Sequence, residues 1–156
     1  GLHTNGYSLV RHALSIQKNP KILNKFYDDL GETLGEALLK PHPSYFASLS
    51  PVFSLVNGMA HITGGGLLEN VPRMLPKNLS ARFDTQTWPI PPIFTTIEKD
   101  ADIPKEEMYR VFNMGLGMVI ACDPSKVETV TSLVPNSLVV GDVRDNAGQE
   151  RVILQY

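Results

Sequence analysis

Three consecutive glycines, Gly64, Gly65 and Gly66, stand inside the stretch AHITGGGLLENVPRMLP, from Ala60 to Pro76. Glycine loses more backbone freedom on folding than any other residue, so three together need a physical reason. The run follows an apolar segment, Met59 to Thr63, that reads as a strand, and it precedes a helical pattern from Leu67. It is therefore a strand-to-helix junction, and two readings of it stand. One is a tight turn. The other is close approach of backbone to an anion, because a helix start offers unpaired N–H groups and the positive end of the helix dipole. No Gly-Lys-Ser/Thr follows, and the spacing is not the dinucleotide fingerprint. Pro72 removes an internal donor, so the helix must be short.

Similar punctuation divides the rest of the chain. Leu9, Val10, Ala13 and Leu14 recur at helical spacing after Thr4 or Asn5, either of which can cap. Ile22, Leu23, Phe26, Tyr27 and Leu30 predict a second helix, ended by Gly31. Thr33 and Glu36 form a capping box before Ala37, Leu38 and Leu39, and Pro41 and Pro43 stop that helix. An extended piece is expected near Tyr45 to Leu49, with a turn at Pro51. Ser80 to Asp84 alternates like a strand, and the segment TWPIPP is a stiff loop. Helices are predicted at Ile93 to Lys99 after Pro91-Pro92, from Pro104 to Arg110, and from Pro124 to Leu133. Met118 to Cys122 reads as a buried strand. Leu138 to Val143 and Val152 to Tyr156 read as antiparallel strands joined through a DNAG hairpin turn. The layout is α+β: a mixed β-sheet layered with helices.

With 156 residues, the chain suits one domain with a real core. Its formal charge of −2 gives no basic surplus to attract nucleic acid, and there is no polybasic run or spanning apolar segment for a membrane. Cys122 is the only cysteine, which excludes an internal disulfide and a cysteine metal cluster and fits a reducing compartment. The opening GLHTNGYSLVRHAL has no initiator Met, signal peptide or lead-in, and it reads as a fragment cut just upstream of a functional element.

Polar, glycine-bearing junctions recur at three element ends: Gly1 to Tyr7, Ala60 to Gly66, and Phe112 to Gly117. Loops at element ends are where a scaffold carries its chemistry. His3 is either a helix-entry residue or an acid, base or oxyanion donor. His61, in an apolar strand, is either a satisfied core histidine or a catalyst. No paired i, i+4 ligand spacing appears, so no metal site is expected, and His12 and His42 carry no motif. Asn113 beside Gly115 and Gly117 either presents amides to a ligand or forms a bulge or turn. Trp88, between prolines, reads as packing.

Four segments, GLHTNGYSLVR, ETLGEALLKP, AHITGGGLLENVPRMLP and EEMYRVFNMGLGMV, together resemble the C-terminal half of the phosphoribosylformylglycinamidine cyclo-ligase (aminoimidazole ribonucleotide synthetase) family. The resemblance runs in order across nearly the whole chain. One departure is KPHPSYF: similar chains often carry a basic residue where this one has Pro43, so no ligand contact is assigned there.

The resemblance implies that residues 1–156 are a single C-terminal α/β domain of a two-domain cytoplasmic enzyme. That enzyme is expected to convert formylglycinamidine ribonucleotide and ATP to aminoimidazole ribonucleotide, ADP and phosphate. An N-terminal domain, absent from this chain, is expected to hold most of the ATP and Mg²⁺ and to form the homodimer contact. The resemblance further implies a cleft faced by His3 and His61 as catalytic residues. Thr4, Asn5, Thr63, Gly64, Gly65, Gly66, Asn113 and Gly115 are the expected substrate or phosphate contacts, with no metal ligand in this half. The glycine turn then becomes an anion site, since the ribotide phosphate and the phosphoryl group in transit both need one. The rivals are another ATP-dependent member of the superfamily, such as formylglycinamidine ribonucleotide synthetase or selenophosphate synthetase, and a non-catalytic ligand-binding domain.

Overall fold

Prolines and glycines keep every element short. A computed structural model describes residues 1–146, 148 and 150–156. Its helices are α1 (Tyr7–Ala13), α2 (Leu34–Leu38), α3 (Phe46–Leu49), α4 (Gly66–Asn70), α5 (Pro92–Ala101), α6 (Lys105–Val111) and α7 (Val127–Leu133). Its strands are β1 (Phe26–Tyr27), β2 (Glu32–Thr33), β3 (Val56–His61), β4 (Leu79–Asp84), β5 (Met118–Cys122), β6 (Gly141–Asp145) and β7 (Val152–Gln155). Among the described residues no helix is long and apolar enough to cross a membrane.

The fold is α+β, with its strands in three small sheets. β1 pairs with β2, β3 pairs antiparallel with β5, and β4 lies between β6 and β7. The third sheet is mixed: β6 runs antiparallel to β4, and β7 runs parallel to it. The main core gathers Leu34, Ile62, Leu67, Phe94, Ile97, Tyr109 and Phe112, all fully buried. A second, smaller core joins Leu49 and Val52 to Val130 and Val134.

Local signals held where they had a backbone mechanism. The capping box is complete: Glu36 N–H donates to Thr33 Oγ1, and Glu36 Oε2 accepts from Thr33 N–H at 2.9 Å. α5 begins on Pro92 and buries Ile93, Phe94 and Ile97 on one face. Trp88 is buried packing, and its indole N–H donates to the Met114 carbonyl at 3.0 Å.

Five expectations are corrected. The helix expected from Ile22 to Leu30 is a 3₁₀ turn, Pro20–Asn24, followed by β1. The turn at Gly31 has φ 69°, and it folds β1 back onto β2. The extended piece expected at Tyr45 to Leu49 is α3, because a helical turn there delivers Leu49 and Val52 together to the second core. The cap of α1 is Gly6, not Thr4 or Asn5. It sits at φ 72° with no side-chain cap, and a Cβ there would overlap the Phe112 ring. β6 and β7 are not a hairpin pair, since each bonds to β4 instead, and the expected turn falls partly on residues outside the described set. Met118 to Cys122 does form a strand, but only Val119 in it is buried.

Side chains explain why β4 takes the centre. Ala81 and Phe83 are buried, whereas β6 is exposed along its length. β6 carries Asp142, paired with Arg82 at 2.8 Å and with Arg144 at 2.9 Å, a charged edge that discourages further pairing. Arg151, just before β7, donates to the carbonyls of Leu79, Leu75 and Pro76, tying β7 to the chain before β4.

Candidate functional site

The three glycine-bearing junctions, far apart in sequence, converge. Asn113 Nδ2 donates to the Gly1 carbonyl at 3.1 Å. Ile62 N–H donates to the Gly117 carbonyl at 2.9 Å. A Cβ on Gly117 would overlap the Tyr45 hydroxyl and lie 2.7 Å from His3 Cε1, so glycine at 117 lets this pair approach the strand.

The convergence builds an imidazole cluster. His3 Nε2 and Tyr45 Oη are 2.6 Å apart. His42 Nε2 and His61 Nε2 are 3.2 Å apart, one supplying the hydrogen. The His3 and His42 rings stack at 4.1 Å and 20°. His3 is 6% exposed and holds φ 58°, a left-handed conformation rare outside glycine. Its Nδ1 is buried with no hydrogen-bond partner of good geometry. Strain of this kind persists only where the surroundings enforce it, and it concentrates at functional sites.

Burial sets the electrostatics. It pushes the His3 imidazole down to about 4, helped by the facing His42 charge and opposed by the Ile62 backbone. Burial and then His42 also lower His61. Burial raises the Tyr45 phenol. At neutral pH His3 and His61 are therefore uncharged, able to accept or donate a hydrogen bond but not to act as fixed cations.

The glycine turn begins three residues beyond His61. Gly65 has φ 93°, and Gly66, at φ 54°, begins α4. A Cβ on Gly66 would overlap the Tyr109 carbonyl of α6, and one on Gly65 would meet Glu69. Gly64 is exposed, and a Cβ there would meet nothing. Buried Asn70 ties the turn from inside. Its Nδ2 donates to the carbonyls of Gly66 at 2.8 Å and Gly64 at 3.1 Å, and its Oδ1 accepts from Thr63 Oγ1.

The sequence-predicted residues divide into groups. His3 and His61 come together, and Thr63 to Gly66 follow on the same chain segment. His61 is exposed, not a core histidine. Thr4 is exposed, and Asn5 carries a buried, unpartnered Nδ2. Asn113 is buried, and its Oδ1 accepts from the Gly115 N–H at 2.8 Å, so both ends of its amide are engaged by protein. Gly115, at φ 99°, packs on Pro91. The sequence reading set His42 aside, named Gly117 only as a neighbour of Asn113, and passed over Tyr45 and Asn70. His42 and Tyr45 share the proline-flanked PHPSY segment, which joins the site only through tertiary contact.

Among the described residues, one set of three or more side chains could ligate a metal: His3, His42 and His61. Local spacing gave no hint of it, because its members are 39 and 19 positions apart in chain order. It is a nitrogen set, whereas magnesium takes oxygen ligands.

Comparison with known proteins bears on the family and the fold. The family described as "AIR synthase related protein, C-terminal domain" matches residues 1–152. The phosphoribosylformylglycinamidine cyclo-ligase of Enterococcus faecalis is 48% identical over 143 residues, 90% of this chain and 42% of that protein. Its namesake from Bifidobacterium longum subsp. infantis is 42% identical over 161 residues, 99% of this chain and 47% of that protein. The chain thus spans about half the length of these curated relatives. Among solved structures, the thiamine-monophosphate kinase of Stenotrophomonas maltophilia shares the fold, with TM-score 0.60 and 15% identity over 97% of this chain and 48% of that one.

Proposed function

The chain belongs to the family of AIR synthase related C-terminal domains, and from that premise we propose that it is the C-terminal half of a phosphoribosylformylglycinamidine cyclo-ligase. The observation that carries the reading is identity above 40%, over nine-tenths or more of this chain, to enzymes of that name. The reaction closes the imidazole ring of a purine precursor: formylglycinamidine ribonucleotide and ATP give aminoimidazole ribonucleotide, ADP and phosphate. ATP, bound with magnesium, supplies the phosphoryl group that activates the formamide oxygen. A nitrogen of the same substrate then attacks that carbon, and phosphate leaves.

The nitrogen-only cluster of this half does not suit magnesium, so the metal and most of the nucleotide are assigned to an N-terminal domain that also forms a homodimer in the cytoplasm. This half contributes the ribotide side of the cleft. The exposed Gly64 backbone and the N–H groups after it are placed to receive a phosphate, with Thr63 beside them. Thr4 and Asn5 border the same face as His3. His3 and His61, uncharged at neutral pH, hold or move protons on the substrate nitrogens during ring closure. Asn113 and Gly115 act by holding the Gly1 to Asn5 segment in place.

The test is His3→Asn in the full-length enzyme. Asparagine tolerates the left-handed backbone that His3 occupies, so this variant separates chemistry from strain better than alanine. ADP release driven by formylglycinamidine ribonucleotide should fall by about 10²–10⁴-fold in kcat/KM, the range for loss of an acid–base group, while the melting temperature stays near the parent's. Parental kinetics would remove His3 from the chemistry.

A further inference from the structure

We propose that His3, His42 and His61 form a binding site for a divalent transition-metal ion of the zinc class. Each imidazole brings a ring nitrogen within 4.8 Å of the other two. His42 Nε2 and His61 Nε2 are already 3.2 Å apart, with their rings 61° from coplanar. Two nitrogens bound at about 2.0–2.1 Å to a tetrahedral zinc sit about 3.3–3.4 Å apart. The pair therefore holds a chelating spacing in which a metal replaces the shared hydrogen. Imidazole selects zinc, copper or nickel over magnesium and calcium.

The third ligand comes by a small adjustment. His3 stacks on His42, so their in-plane lone pairs run side by side, and one ring must turn to point at a common centre. His3 is buried and His42 half-buried, so His42 is the less enclosed of the two rings. Tyr45 Oη, 2.6 Å from His3 Nε2, steadies the ring, as outer partners of metal-bound histidines do. The exposed edge at His61 leaves a fourth position for water.

A metal held by His3 and His61 would occupy imidazoles given proton roles in ring closure, so metal and ring closure compete for them, and the test reads metal alone. Full-length protein, stripped with chelator, is titrated with zinc(II) in excess magnesium by calorimetry, and with cobalt(II) by visible absorption. The expected result is one zinc per chain at this site and the intense bands of low-coordinate cobalt. His42→Ala and His61→Ala should each weaken zinc binding at least tenfold, and Tyr45→Phe about tenfold. His12→Ala should not. Melting temperatures in chelator confirm that each variant is folded. Zinc stoichiometry and affinity unchanged by His42→Ala and His61→Ala, in folded variants, would overturn the proposal, as would a parent that binds no zinc in excess magnesium.

Discussion

The three glycines are not equivalent. Gly66 is required by the Tyr109 carbonyl behind it, and Gly65 by its φ of 93° and by Glu69. Gly64 meets no such demand. The tight-turn reading therefore holds for two members of the run, and the third has open space beside it. Gly66→Ala should lower unfolding stability by at least about 1–3 kcal/mol, the cost of a forbidden backbone region, seen as a reduced denaturant midpoint. Gly64→Val should leave that midpoint within about 0.5 kcal/mol of the parent yet weaken ribotide binding more than tenfold in the full-length enzyme. Unchanged ribotide affinity in Gly64→Val would take the phosphate away from this turn. The role of Asn70 was not legible beforehand, because an asparagine beside Val71-Pro72 reads as a helix end. Its three backbone acceptors exist only once the turn has folded over it.

Elements were readable where a short-range mechanism fixed them and unreadable where a distant partner did. Thr33 and Glu36 satisfy each other within one turn, so the motif sufficed. Thr33→Ala should cost about 0.5–2 kcal/mol of stability in urea unfolding, the usual worth of such a cap. Phe26 and Tyr27 instead fit helical spacing as well as strand, and their pairing with β2 decided the matter. The same holds for β6 and β7, which read as neighbours until β4 entered between them. The β6 edge also gives a pH signature. Hydrogen bonds from Arg144 and, against partial burial, from Arg82 hold the Asp142 carboxyl below its ordinary range. A depressed carboxylate contributes stability that is present above its unfolded value and lost as pH falls through its folded value. Because the pair is exposed, the contribution is under about 1 kcal/mol. Asp142→Asn should therefore melt slightly below the parent at neutral pH, and the gap should close in acid below the ordinary carboxylate range. A gap that widens in acid would show that the ion pairs are not its source.

At the scale of the whole molecule, periodicity and spacing gave an α+β layout but no activity. What made the family legible was the joint order of four motifs, since backbone turns and a histidine become diagnostic only together. The histidine cluster escaped that reading, because His42 belongs to none of the four segments. The molecule also leaves β3–β5 and β4–β6–β7 as separate sheets, with an apolar cleft of about 440 Å³ lined by Phe83, Val119, Val130 and Leu138 among others. Leu138, Val139 and Val143 are exposed there or beside it. On the proposed cyclo-ligase reading, this chain by itself should separate binding from turnover. Catalysis of phosphoryl transfer requires donor and acceptor to be held together, and an effective concentration of that order is lost when one site is absent. The 156-residue chain by itself should therefore bind the ribotide through the face that carries Gly64 and His3, detectably by calorimetry once circular dichroism shows it folded. It should release no ADP above background when ATP and formylglycinamidine ribonucleotide are supplied. Sustained, substrate-dependent ADP release from the chain alone would place the nucleotide site in this half. Folded chain that binds no ribotide would move the phosphate contacts to the other.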